Sequence, residues 1–375
     1  MENKEFAVAF SAKEQEAAVK EASLKIKLIF PKHIDYLVVL FTPQYRSANI
    51  LKTIKLTLKP TQVLGMQSPF LMFEGEIIRK GVVLCCINKP GVEIKEFLLD
   101  ASKSKEIESF LSSSFKKLKR QGFYFLSFVS HRINPTFYTK AMKSSIGKVF
   151  NLLGGGYLTK VSSYGSQIAN EVISEGLINI AIKGLKISSM NIEGYFPLGK
   201  PFTITKTTIS KDVIIEINKK PAVEIFKYYL EEKFDTFIKN HLFSFYPLGL
   251  SENGTVKLVT VIECLADGSL ACTSEVTAGM QGHIMFLNPA SLLPNLKSKL
   301  APLYSQEGGL IFIINSLVRK KILKDYSVEE IKLIKQAFGD KFKMIGLYCD
   351  YSFSSDEEKG DINLAAGKLL LTLWQ

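Results

Sequence analysis

The hydrophobic residues of this chain fall mostly in short unbroken runs and seldom in strict alternation. Residues 37–41 (LVVLF), 123–128 (FYFLSF) and 310–314 (LIFII) are apolar at almost every position. A strand tolerates this only when both of its faces are covered, so these runs predict buried strands with layers on either side. Further strands are expected at 6–10, 61–65, 74–79, 81–88 and 94–99. Between them, apolar residues recur at helical spacing over 47–58, 102–119 and 135–145. Ser11 and Glu14 have capping-box spacing ahead of a helix that carries Ala17, Ala18 and Ala22, small enough for close packing on a sheet.

The pattern then repeats. Strands expected at 148–154, 167–173 and 176–184 follow the run 123–128 much as 61–65, 74–79 and 81–88 follow 37–41. Val82-Val83-Leu84 corresponds to Leu177-Ile178-Asn179, and Gly65-Met66 to the glycine run Gly154-Gly155-Gly156. This predicts an internally duplicated αβαβββ unit, about 1–100 and 101–200. A looser third copy is expected further on, with helices at 289–304 and 327–338 and strands at 310–314, 344–349 and 368–374. The fold class is α/β with mixed α+β character: mixed sheets covered by helices, in two domains, 1–200 and 201–375.

A distinct stretch, 194–230, joins the two. Its β-branched runs TITKTTIS and VIIEI flank Ser210-Lys211-Asp212 and read as a hairpin. Pro221 is placed to begin a helix, expected over 222–241. Beyond it, 256–265 and 269–277 flank the turn dipeptide Asp267-Gly268. With a three-residue turn, Cys264 and Cys272 are expected to face each other.

Composition narrows the function classes. The chain has 375 residues, 46% hydrophobic and 22% charged, an ordinary folded balance. The net charge of +12 is scattered, with short clusters at 116–120 and 319–324 that lack interleaved aromatics. A lysine-coated surface therefore ranks above nucleic-acid binding. No apolar run reaches the ~18 residues needed to cross a bilayer, and residues 1–22 do not read as a signal peptide. Five cysteines without framework spacing are expected as reduced thiols, and the expected location is cytoplasmic. The four histidines are isolated, so no metal site is expected, and no cofactor. Gly194, Gly199 and Lys200 have phosphate-loop spacing, but Pro201 stands where a hydroxyl should bind magnesium and a strand follows, so that reading fails.

Candidate ligand-binding residues remain. Gly154, Gly155 and Gly156 let a backbone approach a ligand closely, with a tight strand exit as the plain alternative. Gly65 and Met66 hold the matching place in the first copy. Past the strand 310–314, Ser316 and Arg319 suit an anion, against the alternative of an exposed arginine at a strand end. Asp350, with Tyr348 beside it, could meet an amino group, so that Arg319 and Asp350 together would suit an amino acid. No nucleophile elbow or Cys/His signature is present, and no catalytic residue is assigned.

Several segments together resemble the FIST family (F-box and intracellular signal transduction proteins), with an N-terminal and a C-terminal FIST domain. These are IDYLVVLFTPQY, VLGMQSPF, KGVVLCCI, LLGGGY and GLINIAIKG, then PFTITKTTISKDVIIEINKKPAVEIFKYYL, YPLGL and VKLVTVIECLADGSLACTSEVTAGMQGHI. The resemblance implies a non-catalytic sensory module that binds a small ligand, amino acids among the candidates, and signals through a separate protein partner. Asn315-Ser316-Leu317-Val318-Arg319 departs from the family's Ser-Cys-x-x-Arg run by lacking the thiol, and Tyr348–Phe353 replaces its Gly-Glu-Ile run. An enzyme with an unrecognised site and a protein-interaction scaffold are the alternatives, and no membrane insertion is expected.

Overall fold

The computed structural model describes residues 5–31, 33–119, 122–146, 151–158, 165–170, 172–240, 242–252, 254–303, 306–355 and 362–375. In the first copy β1 (Phe6–Ser11), α1 (Gln15–Ile29), β2 (Tyr36–Phe41), α2 (Ser47–Thr57) and β3 (Gln62–Gln67) lead to a short hairpin, β4 (Leu71–Phe73) and β5 (Glu76–Ile78), and then to β6 (Val82–Ile87). The second copy repeats this order as β7 (Glu93–Asp100), α3 (Ile107–Lys119), β8 (Tyr124–Val129), α4 (Pro135–Ile146), β9 (Leu152–Gly156), the hairpin β10 (Gln167–Ala169) and β11 (Val172–Ser174), and β12 (Gly176–Lys183).

The third copy opens with β13 (Ile187–Ile192) and is then interrupted. The insertion comprises β14 (Tyr195–Thr207), β15 (Val213–Ile217), β16 (Lys220–Pro221), α5 (Glu224–Leu230), α6 (Phe234–Lys239), β17 (Leu248–Glu252), β18 (Thr255–Val259), β19 (Val261–Cys264), β20 (Leu270–Cys272) and β21 (Gln281–Leu287). The copy resumes with α7 (Pro289–Leu300), β22 (Gly309–Ser316), α8 (Leu317–Leu323), α9 (Tyr326–Phe338), β23 (Phe342–Cys349), the hairpin β24 (Tyr351–Ser355) and β25 (Ile362–Ala365), and β26 (Leu369–Trp374).

Three six-stranded sheets result, ordered β1-β6-β2-β3-β10-β11, β7-β12-β8-β9-β24-β25 and β13-β26-β22-β23-β4-β5. In each, one parallel pair (β2/β3, β8/β9, β22/β23) lies among antiparallel neighbours. Each copy keeps four strands in its own sheet and gives its hairpin to another: β10–β11 of the second copy enters the first sheet, β24–β25 the second, and β4–β5 the third. The expected third copy is thus present, and strands from either side of residue 200 share a sheet.

Registers align the copies residue by residue. Val39 pairs with Gly65, Ser127 with Gly154 and Ile313 with Gly346, so Gly65, Gly154 and Gly346 are equivalent. The expected match of Val82 with Leu177 holds, since Val82 pairs with Phe41 and Leu177 with the equivalent Val129.

The inner faces of the three sheets meet in one core that includes Val38, Leu64, Leu126, Ile180, Phe312 and Trp374. The cavity left at its centre is ≈ 10 Å³ and lined by apolar side chains. It is at the lower limit for one water and offers it no hydrogen bond, so it stays dry. Helices cover the outer faces: α1 and α2 bury Ala18, Val19, Ile50 and Ile54 on the first sheet, and α3 and α4 bury Leu111, Phe115 and Met142 on the second. That double cover explains the unbroken apolar runs.

Some local expectations give way to tertiary contacts. Ser11 is the last residue of β1 and donates to Glu21 at 2.7 Å, so the Ser11–Glu14 capping box does not form. Residues 195–201 extend the expected hairpin strand at its start into the 13-residue β14, whose register breaks between Leu198 and Phe202. Gly199 makes that break possible at φ +68°, where a β-carbon would strike the Tyr229 hydroxyl. Pro221 ends the short strand β16 instead of starting a helix, and the expected helix 222–241 divides into α5 and α6 after Glu231 takes φ +43°. Cys264 faces Leu270 and Cys272 faces Val261 across a bulge, and all five cysteines are free thiols. Residues 148–150 of the expected strand 148–154, and His241, lie outside the described residues. Among the described residues no helix is long and apolar enough to cross a membrane.

Candidate ligand-binding site

Three equivalent hydroxyl residues stand at or just past the end of the second strand of each copy: Thr42, Ser130 and Ser316. Each is joined to a glycine at or just before the start of the copy's last strand. Thr42 Oγ1 accepts from Gly81 N at 3.0 Å, Ser130 N donates to Gly176 O at 2.8 Å, and Ser316 Oγ accepts from Gly367 N at 2.9 Å. In the third copy the same hydroxyl also accepts from Val318 N at 3.2 Å, capping α8, and lies 3.4 Å from Asp350 O.

The ends of β3, β9 and β23 converge beside it. Asp350 N donates to Gly156 O at 2.9 Å, and Leu158 N donates to Asp350 Oδ2 at 2.8 Å. The Tyr157 hydroxyl lies 2.9 Å from Gln67 O and 3.0 Å from Tyr348 O, tying all three strand ends together. Ser68 Oγ accepts from Tyr348 N at 3.1 Å.

The glycine run serves close packing between copies. A β-carbon on Gly154 would collide with Ser127 O and the Phe353 ring, and one on Gly156 with the Tyr351 hydroxyl and Val129 O. On Gly155 it would sit 2.8 Å from Ile314 Cγ2 and 3.2 Å from Cys349 Sγ. Gly65 is packed in the same way, since a β-carbon there would sit 2.9 Å from Ile168 Cβ, and Met66 belongs to the shared core. The structure therefore brings Gly154, Gly155, Gly156, Ser316, Tyr348 and Asp350 together, while Gly65 and Met66 lie in the first sheet under β10.

Arg319 is neither exposed nor directed at open space. It is fully buried, and Glu330, fully buried on α9, receives its Nε at 3.0 Å and its Nη2 at 2.6 Å. Nη1 donates to Gly367 O at 3.2 Å, and Asn315 Nδ2 reaches Glu330 at 3.4 Å. Sequence reading missed Glu330, although it offered a signal. On α9 the buried positions Ser327, Glu330, Ile331, Ile334 and Phe338 follow helical spacing, so a carboxylate there sits on the core face and requires a partner.

The hydroxyls of Tyr195 and Tyr348 are buried near this ion pair, and that of Tyr351 is buried against Gly156. Those of Tyr195 and Tyr351 have no hydrogen-bond partner among the described residues, whereas that of Tyr348 faces the Asn315 side chain. Burial pushes each of these phenols well above its ordinary range, Tyr348 further by the neighbouring Glu330 carboxylate. Burial also pushes the Cys349 thiol far up, with Asp350 adding to it, so that thiol stays neutral. Ser316 has no basic side chain as a hydrogen-bond partner among the described residues, and no cluster there could hold a metal ion.

A family model of the FIST N domain matches residues 36–220, and one of the FIST C domain matches residues 222–350. No curated protein matches the sequence significantly.

Proposed function

The chain belongs to the FIST family, which is associated with sensing in signal transduction, and from that premise we propose that it is a non-catalytic cytoplasmic sensor of a small ligand, acting through a separate signalling partner. The observation that carries this reading is the buried, unpartnered hydroxyl of Tyr351, which lies against Gly156 and follows Asp350 in the chain. A donor held out of water without an acceptor costs ~1–3 kcal/mol, which a ligand oxygen would offset.

In this proposal the ligand is an amino acid. Asp350 receives its ammonium, Ser316 and Tyr348 address its carboxylate, and Gly154, Gly155 and Gly156 let the backbone come close. Gly65 and Met66 support the site from the first sheet through the Tyr157–Gln67 contact. Arg319 contributes through Glu330, which sets the charge beside Tyr348. Residues 1–200 and 201–375 act as two functional halves that share sheets.

Calorimetric titration with a panel of amino acids and small carboxylates tests the reading. Saturable binding that weakens about tenfold or more in Asp350→Asn and Ser316→Ala is the expected result. A full panel without a binder overturns it.

A further inference from the structure

A cleft of ≈ 500 Å³ opens on the insertion where β14, the end of β15 and α5 meet. It shares no residue with the group around Asp350. Its apolar lining is continuous with the insertion's core, in which Phe202 and Ile217 are buried and against which Ile225 packs. The volume lies within the ~300–1,000 Å³ of small-molecule sites, which combine such a lining with a few convergent polar groups. The backbone around the cleft is anchored. Asn218 and Lys219, at φ +52° and +61°, form the two-residue turn that joins β15 to β16. That turn is tied to β14, since Thr203 N donates to Asn218 Oδ1 at 2.8 Å and Lys219 N to Thr205 Oγ1 at 3.0 Å. From the register break in β14, Lys200 N donates to the Tyr229 hydroxyl on α5 at 2.9 Å.

The polar side-chain groups left over in this lining are donors. Lys200 and Lys220 form no ion pair among the described residues, and Glu224 lies 3.7 Å from Lys227 Nζ. Asn218 uses its Oδ1 on Thr203 and Tyr229 its oxygen on Lys200 N. Neither the Asn218 Nδ2 hydrogens nor the Tyr229 hydroxyl proton has an acceptor among the described residues. Carboxylates outside the lining are turned elsewhere. Glu216 faces Lys206 at 3.9 Å, Asp267 accepts from Ser269 N at 2.9 Å, and Glu231 lines a separate cleft together with Lys233. Beside the donors, Tyr228 is 74% exposed and stands edge-on to Tyr229 at 5.0 Å. An aromatic face left in water at the mouth of a cleft is a surface that a flat ring can cover.

We propose that this cleft is a second binding site, for a small aromatic anion: a flat ring that carries a phosphate or carboxylate group. The ring lies against Tyr228 and the apolar lining, and the anionic group meets Lys200 and Lys220, with the Asn218 amide and the Tyr229 hydroxyl as further donors. Lys200 is the lysine of the phosphate-loop spacing that fails at Pro201, and it acts here through its side chain alone. The inference does not rest on the amino-acid reading of the Asp350 site.

The test is calorimetric titration of the full chain with adenosine monophosphate and with phenylacetate, at low salt and at about 0.15 M salt. Saturable binding of at least one of them supports the site if it weakens about tenfold or more in Lys200→Gln/Lys220→Gln and about fivefold or more in Tyr228→Ala. It should be unchanged in Lys20→Gln/Lys52→Gln on α1 and α2. Binding of adenosine monophosphate alone identifies a phosphate site, and of phenylacetate alone a carboxylate site. Inorganic phosphate or cyclohexylacetate binding as tightly as its aromatic counterpart overturns the role given to the ring. Tyr228 is exposed, so Tyr228→Ala alone repeats the test if the lysine double variant does not fold. Absence of binding by both aromatic anions overturns the proposal, as does equal weakening in the two lysine double variants. Asp350→Asn leaves their affinity unchanged even if the amino-acid panel yields no binder, and a loss of affinity in that variant overturns the assignment to this cleft.

Discussion

Arg319 and Glu330 carry full charges out of water, and they are stable there because each holds the other with several hydrogen bonds. Such a pair contributes little against a well-packed apolar substitute, but removing one partner strands the other charge. Glu330→Gln is therefore expected to cost about 3–5 kcal/mol in chemical denaturation, and the pair Arg319→Met/Glu330→Leu distinctly less. If the single and double variants lose the same amount, the charges are not coupled as drawn.

Glu96 on β7 is a second informative residue. Burial raises its carboxyl to about 7, despite the amide of Asn170 donating to it at 2.7 Å. Between about 4.5 and 7 the folded state binds this proton more tightly than the unfolded one. The resulting stabilisation is complete at low pH and is lost as pH rises through 7. Glu96→Gln should thus gain stability relative to wild type at pH 8 compared with pH 4.5, by on the order of 1 kcal/mol after allowance for solvent screening. Melting curves that differ by a constant amount across that range would refute the assignment.

At the scale of elements, the exchanged hairpins explain how three sheets become one body. Each is pinned by a side chain at or near its turn that accepts an equivalent backbone amide. Asn170 Oδ1 takes Val63 N at 3.1 Å, Ser355 Oγ takes Leu152 N at 2.8 Å and Glu74 Oε1 takes Met344 N at 2.7 Å. Asn170 and Glu74 both adopt φ +47°, a conformation that asparagine tolerates better than most residues. Asn170→Ala removes an acceptor and leaves a part-buried amide unpaired, with an expected cost of about 1–2 kcal/mol. Hydrogen exchange locates the effect: the Val63 amide should lose protection while the Met344 amide keeps it. Equal loss at both amides would mean that the hairpins are not anchored separately.

Across the whole molecule, this exchange makes local changes global. None of the three six-stranded sheets is completed by its own copy, so the inner core shared by Val38, Leu126 and Phe312 forms only when all three assemble. Trp374, the single tryptophan, stacks on Phe312 in the third sheet at 5.5 Å and reports on that core. Asn170→Ala, in the first sheet, is therefore expected to move the Trp374 fluorescence midpoint as far as the circular-dichroism midpoint in urea. A fluorescence midpoint that stays in place would show that the sheets unfold independently.

The sequence by itself determined most of the strands and helices of the three copies and the period at which the copies recur. Burial on two faces leaves an unbroken apolar run, and a backbone held against Ser127 O or Tyr351 permits no side chain. It also marked Ser316, Arg319, Tyr348 and Asp350 as one group and the glycine run with Gly65 and Met66 as another, since all but Arg319 lie in strands or where strands end. Tertiary structure alone decided which sheet each hairpin joined, because backbone hydrogen bonds are the same whichever neighbour supplies them and register carries no label of its origin. It decided likewise that Lys220-Pro221 would pair with β15 and that Arg319 would meet Glu330. Each of these depends on residues brought together only after the three copies have closed on one another.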